Sequence, residues 1–120
     1  MNYELKLDVH THTIMSGHAY STIQEMVAAA QQKNLDILGI TEHAPGIPGT
    51  CHPIYFRNLH VVPRQMGDLR LMLGAELNIL DTKGRSTSTS STTSSLTSAS
   101  PAFICSVGRA APSKRTPPAW

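Results

Sequence analysis

Asp36-Ile37-Leu38-Gly39-Ile40-Thr41 is an almost unbroken apolar run of strand length. A run of this kind suits a parallel strand covered on both faces, since a strand with one wet face would alternate. Thr41, Glu42 and His43 close the strand.

Working back from this run, Ile23, Met26, Val27 and Ala30 form an apolar stripe at helical spacing. Ser21 and Gln24 have the spacing of a capping box, which predicts a helix starting at Ser21. Asn34 stands where a left-handed residue would end it. Residues 4–9 (ELKLDV) read as a first strand. Strand, helix and strand within about 40 residues make a βαβ unit. Working forward, residues 44–60 are rich in Pro, Gly and His and read as a functional loop. Residues 61–66 fit no single element, 71–77 (LMLGAEL) read as a third buried strand, and 81–84 as a turn. The expectation is an α/β fold, βαβ followed by a further strand.

The character of the chain changes after residue 85. Thirteen of the fifteen residues 86–100 are Ser or Thr, and the end (GRAAPSKRTPPAW) is basic and Pro-rich, without an apolar face. Residues 1–85 are therefore expected to be the folded part and 86–120 a disordered tail. Charge divides in the same way. Up to Asp81 there are eight acids and five Lys/Arg; beyond it there are five Lys/Arg and no acid. All six histidines fall between His10 and His60. Two cysteines, Cys51 and Cys105, make no disulfide framework. The start has no apolar leader and no stretch nears the roughly 20 apolar residues that span a bilayer, so a cytoplasmic protein without a membrane role is expected. The basic tail would permit weak, salt-dependent phosphate binding, but no aromatic interleaving accompanies it, so nucleic acid is not an expected partner.

His10 and His12 close the first strand, and residues i and i+2 of a strand share a face, so both imidazoles can reach one metal ion or two adjacent ones. His18 lies six residues on, His43 ends the second strand, and Glu76 sits near the end of the third. In parallel α/β folds the C-terminal strand ends build the active-site face. Three strand ends thus deliver metal-competent side chains to one rim, and imidazole with carboxylate suits zinc, manganese or iron. An acid between Leu73, Ala75 and Leu77 also needs a partner.

LDVHTHT, SGHAYS, ITEHAP and GAELN, in that order over residues 5 to about 85, resemble the PHP (polymerase and histidinol phosphatase) superfamily, and within it the small bacterial zinc-dependent phosphatases. The resemblance implies the N-terminal part of a distorted (β/α)7 barrel and a multinuclear zinc or manganese centre. On that pattern His10 and His12 hold one metal, His18 and His43 a second, and Glu76 bridges. The activity implied is hydrolysis of a phosphorylated small molecule by a metal-activated water. Arg57 and Arg64 are candidate phosphate clamps and His52 a candidate substrate contact. The family's later His and Asp-x-His ligands have no counterpart, since no histidine follows His60 and no acid follows Asp81. The expectation is a truncated, inactive copy. A one-base shift of reading frame across Ser86–Ile104 is compatible with an apolar strand ending in histidine, which points to a frameshift origin for the tail. Two other readings are a small non-catalytic metal-binding protein with a basic tail, and a PHP module of the exonuclease type.

Overall fold

The computed structural model describes residues 4, 6–46, 48–79, 83, 85–87 and, as backbone, 103–107. The elements are β1 (Leu7–Thr11), α1 (Ile23–Gln32), β2 (Ile37–His43), α2 (Pro53–Asn58), β3 (Gln65–Met66), β4 (Leu69–Asn78) and β5 (Phe103–Val107). Single 3-10 turns occupy Ile14–Ser16 and Leu59–Val61. One sheet runs β1-β2-β4-β3. β1, β2 and β4 are parallel, and β3 is antiparallel to β4. None of the described helices is long and apolar enough to cross a membrane.

The βαβ expectation holds, with β2 at the centre. Leu38 to Glu42 are all buried, as a strand covered on both faces must be. In β4 the start alternates, Leu69, Leu71 and Leu73 being buried beside exposed Arg70, and burial then becomes continuous from Leu73 to Glu76. Val27 and Ala30 of α1 and Phe56 and Leu59 join Leu38, Ile40, Leu71, Leu73 and Ala75 in one core. Each large side chain buried there contributes on the order of 1.5–3 kcal/mol.

Several expectations need correcting. β1 begins at Leu7 and reaches Thr11, beyond the expected 9, because pairing with β2 carries it on to the partner of Ile40. Gly39 allows this. A Cβ there would meet Val9 backbone atoms at 2.6–2.8 Å, beside a break in register between Asp8 and Thr11. The α1 cap is Thr22 with Glu25, not Ser21 with Gln24. The Thr22 amide donates to Glu25 Oε2 (2.7 Å), and a charged carboxylate there also favours the helix dipole. That contact holds the Glu25 carboxyl below its usual range. Asn34 does take a left-handed conformation (φ 53°). The 44–60 loop contains α2, started by His52 and Pro53 at its first turn.

Within 86–120, residues 86, 87 and the backbone of 103–107 are described. Ser86 bridges Ile79, and Thr87 is buried, exchanging bonds with Asn78 through its amide (3.0 Å) and its hydroxyl (3.0 Å). Phe103–Val107 pairs in parallel with Gly74–Asn78. β4 is an available template because β3 covers only its first two residues. The remainder of 86–120 lies outside the described residues.

Candidate metal centre

Parallel pairing puts the C-terminal ends of β1, β2 and β4 side by side. His43 is in register with Glu76, and the Ala44 amide donates to the Glu76 carbonyl (2.9 Å). His10 lies on β1 and His12 directly beyond it. The chain then turns through Ile14–Ser16, with Thr13 as its cap and Gly17 closing it at φ 74°. A side chain at Gly17 would strike the Gly49 carbonyl at 2.5 Å, so this glycine lets two rim loops touch. His18 is brought back beside His43.

Three imidazoles converge on one carboxylate oxygen. Glu76 Oε2 lies 3.2 Å from His10 Nε2, 3.0 Å from His12 Nε2 and 3.6 Å from His43 Nδ1. The two Nε2 atoms of His10 and His12 are 3.3 Å apart. Donors about 2.0–2.1 Å from a tetrahedral zinc stand about 3.3 Å from one another, so the spacing fits an ion. Two triads have donor atoms within 4.8 Å of each other: His10, His12, Glu76 and His12, His18, His43. His12 belongs to both, with ring centroids 5.3, 4.9 and 4.7 Å from those of His10, His18 and His43.

Electrostatics favour a neutral His12. Burial, and then the nearby His43, push the His12 pKa down, against the pull of Glu76 and Glu42. Neutral imidazole is the form that binds metal. His18 Nδ1 lies 3.2 Å from the Ser16 carbonyl. A carbonyl only accepts, so His18 carries its proton on Nδ1, leaving Nε2 as the nitrogen able to bind a metal.

The five residues expected as ligands are thus together. Sequence reasoning missed Glu42. It is 1% exposed and is met by the Thr13 amide (3.1 Å), the Thr13 and Ser16 hydroxyls, and the Tyr55 hydroxyl (3.4 Å). A buried carboxylate is held by hydrogen-bond donors of this kind, and His12 Nδ1 lies 4.0 Å from its Oε2. Its charge acts on its neighbours: burial and then Glu42 raise the Tyr55 pKa, and together they raise that of Cys51 to about 12. Strand alternation, which sets Glu42 on the face opposite His43, was the signal available.

The three substrate-contact candidates stand apart from these triads. The His52 ring accepts from the Ile54 amide (3.2 Å) and caps α2. Arg64 donates to the Leu59 (3.0 Å) and Val62 (2.8 Å) carbonyls. Arg57 lines a hollow with Met15, Ile54, Tyr55, Asn58 and His60.

The PHP domain profile matches residues 8–105. A protein of Caldicellulosiruptor saccharolyticus named "Probable phosphatase" is 49% identical over 80 residues, which is 67% of this chain and 34% of that one. A probable phosphatase of Caldanaerobacter subterraneus is 47% identical over 85 residues, covering 71% and 34%, and one of Aliivibrio fischeri is 49% identical over 78, covering 65% and 32%. The chain spans about a third of the length of the curated relatives it matches.

Proposed function

The chain belongs to the PHP domain family, and from that premise we propose that it is the opening part of a metal-dependent phosphoesterase acting on phosphorylated small molecules. The observation that carries this is Glu76 Oε2 gathered with three imidazoles at 3.0–3.6 Å. His10, His12 and Glu76 would hold one divalent ion, zinc or manganese. His18 and His43 would hold a second, with His12 within reach of both. When bound, such ions supply Lewis-acid chemistry, drawing charge from a phosphoryl oxygen and acidifying water. Glu76 contributes a negative charge shared between the two positions, which favours two cations close together. Arg57 is the better candidate phosphate clamp, since Arg64 is committed to backbone carbonyls. The named relatives support the phosphatase class.

Catalytic zinc ordinarily takes three protein ligands per ion. Five residues serve two triads here by sharing His12, and the family pattern calls for further His and Asp-x-His ligands beyond them. Within these 120 residues no histidine follows His60 and no acid follows Asp81 to supply them. On this reading these 120 residues by themselves bind metal without turning substrate over. The test is zinc- or manganese-loaded chain with para-nitrophenyl phosphate. The expected result is no release above the metal blank; turnover abolished by His12→Ala would overturn inactivity.

The frameshift origin of the tail is part of the same proposal. The relatives' matches, only 78–85 residues long, support it, while a family match in this frame to residue 105 and a parallel strand at Phe103–Val107 weigh against it. Reading the gene from codon 75 past Trp120 tests it. An alternative frame should carry a histidine near position 104 and later Asp-x-His ligands. Without that frame, a small metal-binding protein becomes the better account.

A further inference from the structure

Ser16 Oγ is buried and has one proton to give and two lone pairs to fill. It donates to Glu42 Oε2, a carboxylate on which four donors converge. It accepts from the His43 amide at 3.1 Å. Its remaining neighbour is His12 Nδ1, at 3.0 Å. With the hydroxyl proton committed to Glu42, Ser16 can only accept from His12. The imidazole proton must then sit on Nδ1.

We propose that Glu42 and Ser16 are positioning residues that fix the proton of His12 on Nδ1, leaving Nε2 bare toward Glu76 and His10. Nothing in the immediate surroundings of Nε2 requires this. At 3.0 Å from Glu76 Oε2, Nε2 would by itself hold the proton well, and the relay through Ser16 is what opposes that. Histidine ligands commonly donate their second N–H to a carboxylate or carbonyl; here a buried hydroxyl carries the carboxylate's influence across. The same hydroxyl takes the His43 amide, so one atom ties the His12 ring to the end of β2. That the bare Nε2 serves as a metal ligand rests on the proposed function above; the proton's placement does not.

The informative variant is Glu42→Gln, which keeps the shape. The Thr13 amide (3.1 Å), the Thr13 hydroxyl and the Tyr55 hydroxyl all meet Oε1, so the glutamine oxygen belongs there and its NH2 faces Ser16. Ser16 would then accept from Gln and from the His43 amide, and would have to donate to His12 Nδ1. The His12 proton moves to Nε2, where it blocks a metal. Two-bond nitrogen–proton NMR of the full chain, labelled at histidine and held near pH 8, reads the tautomer directly. Zinc titration of the same samples reads binding.

The expected result is Nδ1–H in the unaltered chain and Nε2–H in Glu42→Gln, with zinc binding about 10–100-fold weaker. Ser16→Ala should lose the preference, and Glu42→Gln should add nothing further on that background. Nε2–H in the unaltered chain, or Nδ1–H retained in Glu42→Gln, overturns the proposal. A tautomer that flips as expected while His12→Ala binds zinc unchanged would uphold the relay and overturn the ligand role of His12.

Discussion

Gly39→Ala should damage fold and metal site together. A Cβ at Gly39 would lie 2.6 Å from Val9 Cα, about 0.8 Å short of the 3.4 Å at which ordinary van der Waals contact begins. The obstacle is backbone, so β1 has to move away from β2. Overpacking of this kind costs about 1–3 kcal/mol, a large part of the roughly 5–15 kcal/mol that holds a domain together. Without the clash, alanine would stabilise by about 0.4–1 kcal/mol through the unfolded chain, so the sign alone is decisive. The site should suffer more than the fold. β1 carries His10 and leads into His12, while His43 and Glu76 lie on β2 and β4. A shift approaching 0.8 Å exceeds the tolerance of about 0.2 Å in ligand distances, so zinc affinity should fall at least about tenfold. Urea denaturation with zinc titration is the assay. Stability equal to or above that of the unaltered chain, with unchanged zinc affinity, would refute the close-approach argument.

Phe56→Ala should destabilise by about 3–5 kcal/mol in urea denaturation, because the ring is 1% exposed and its loss leaves a cavity under α2. In a Cys105→Ser background, Cys51 should react with iodoacetamide at pH 8 about 1000-fold more slowly than an ordinary thiol, since burial and Glu42 raise its pKa from 9.0 to about 12. The sign for stability follows from the same shift. The folded chain keeps this proton longer than the unfolded one, so stability is full below about pH 9 and declines as pH rises toward 12. An alkaline titration of the urea midpoint checks this, and Cys51→Ala should remove the part of the decline that begins near pH 9, leaving the part above about pH 10 that the raised Tyr55 pKa contributes.

The strands and the rim could be read from the residues because parallel strands buried on both faces leave runs such as Ile37–Thr41, and because ligands at strand ends are fixed by register. The α1 cap was misplaced because two overlapping capping boxes, at Ser21 and Thr22, are one residue apart, and only the geometry shows the carboxylate winning. Glu42 was passed over because its partners come from Thr13, Ser16 and Tyr55, which lie near it only after folding. β5 was missed for another reason: its edge is offered by β4, and the Ser/Thr-rich composition before it carries no periodic signal.

The most direct measurement is zinc retained per chain after dialysis, compared among the unaltered protein, His10→Ala, His18→Ala and His12→Ala. With His12 common to both triads, retention should fall in part in each of the first two variants and almost entirely in His12→Ala. Equal retention in all four would contradict the metal centre.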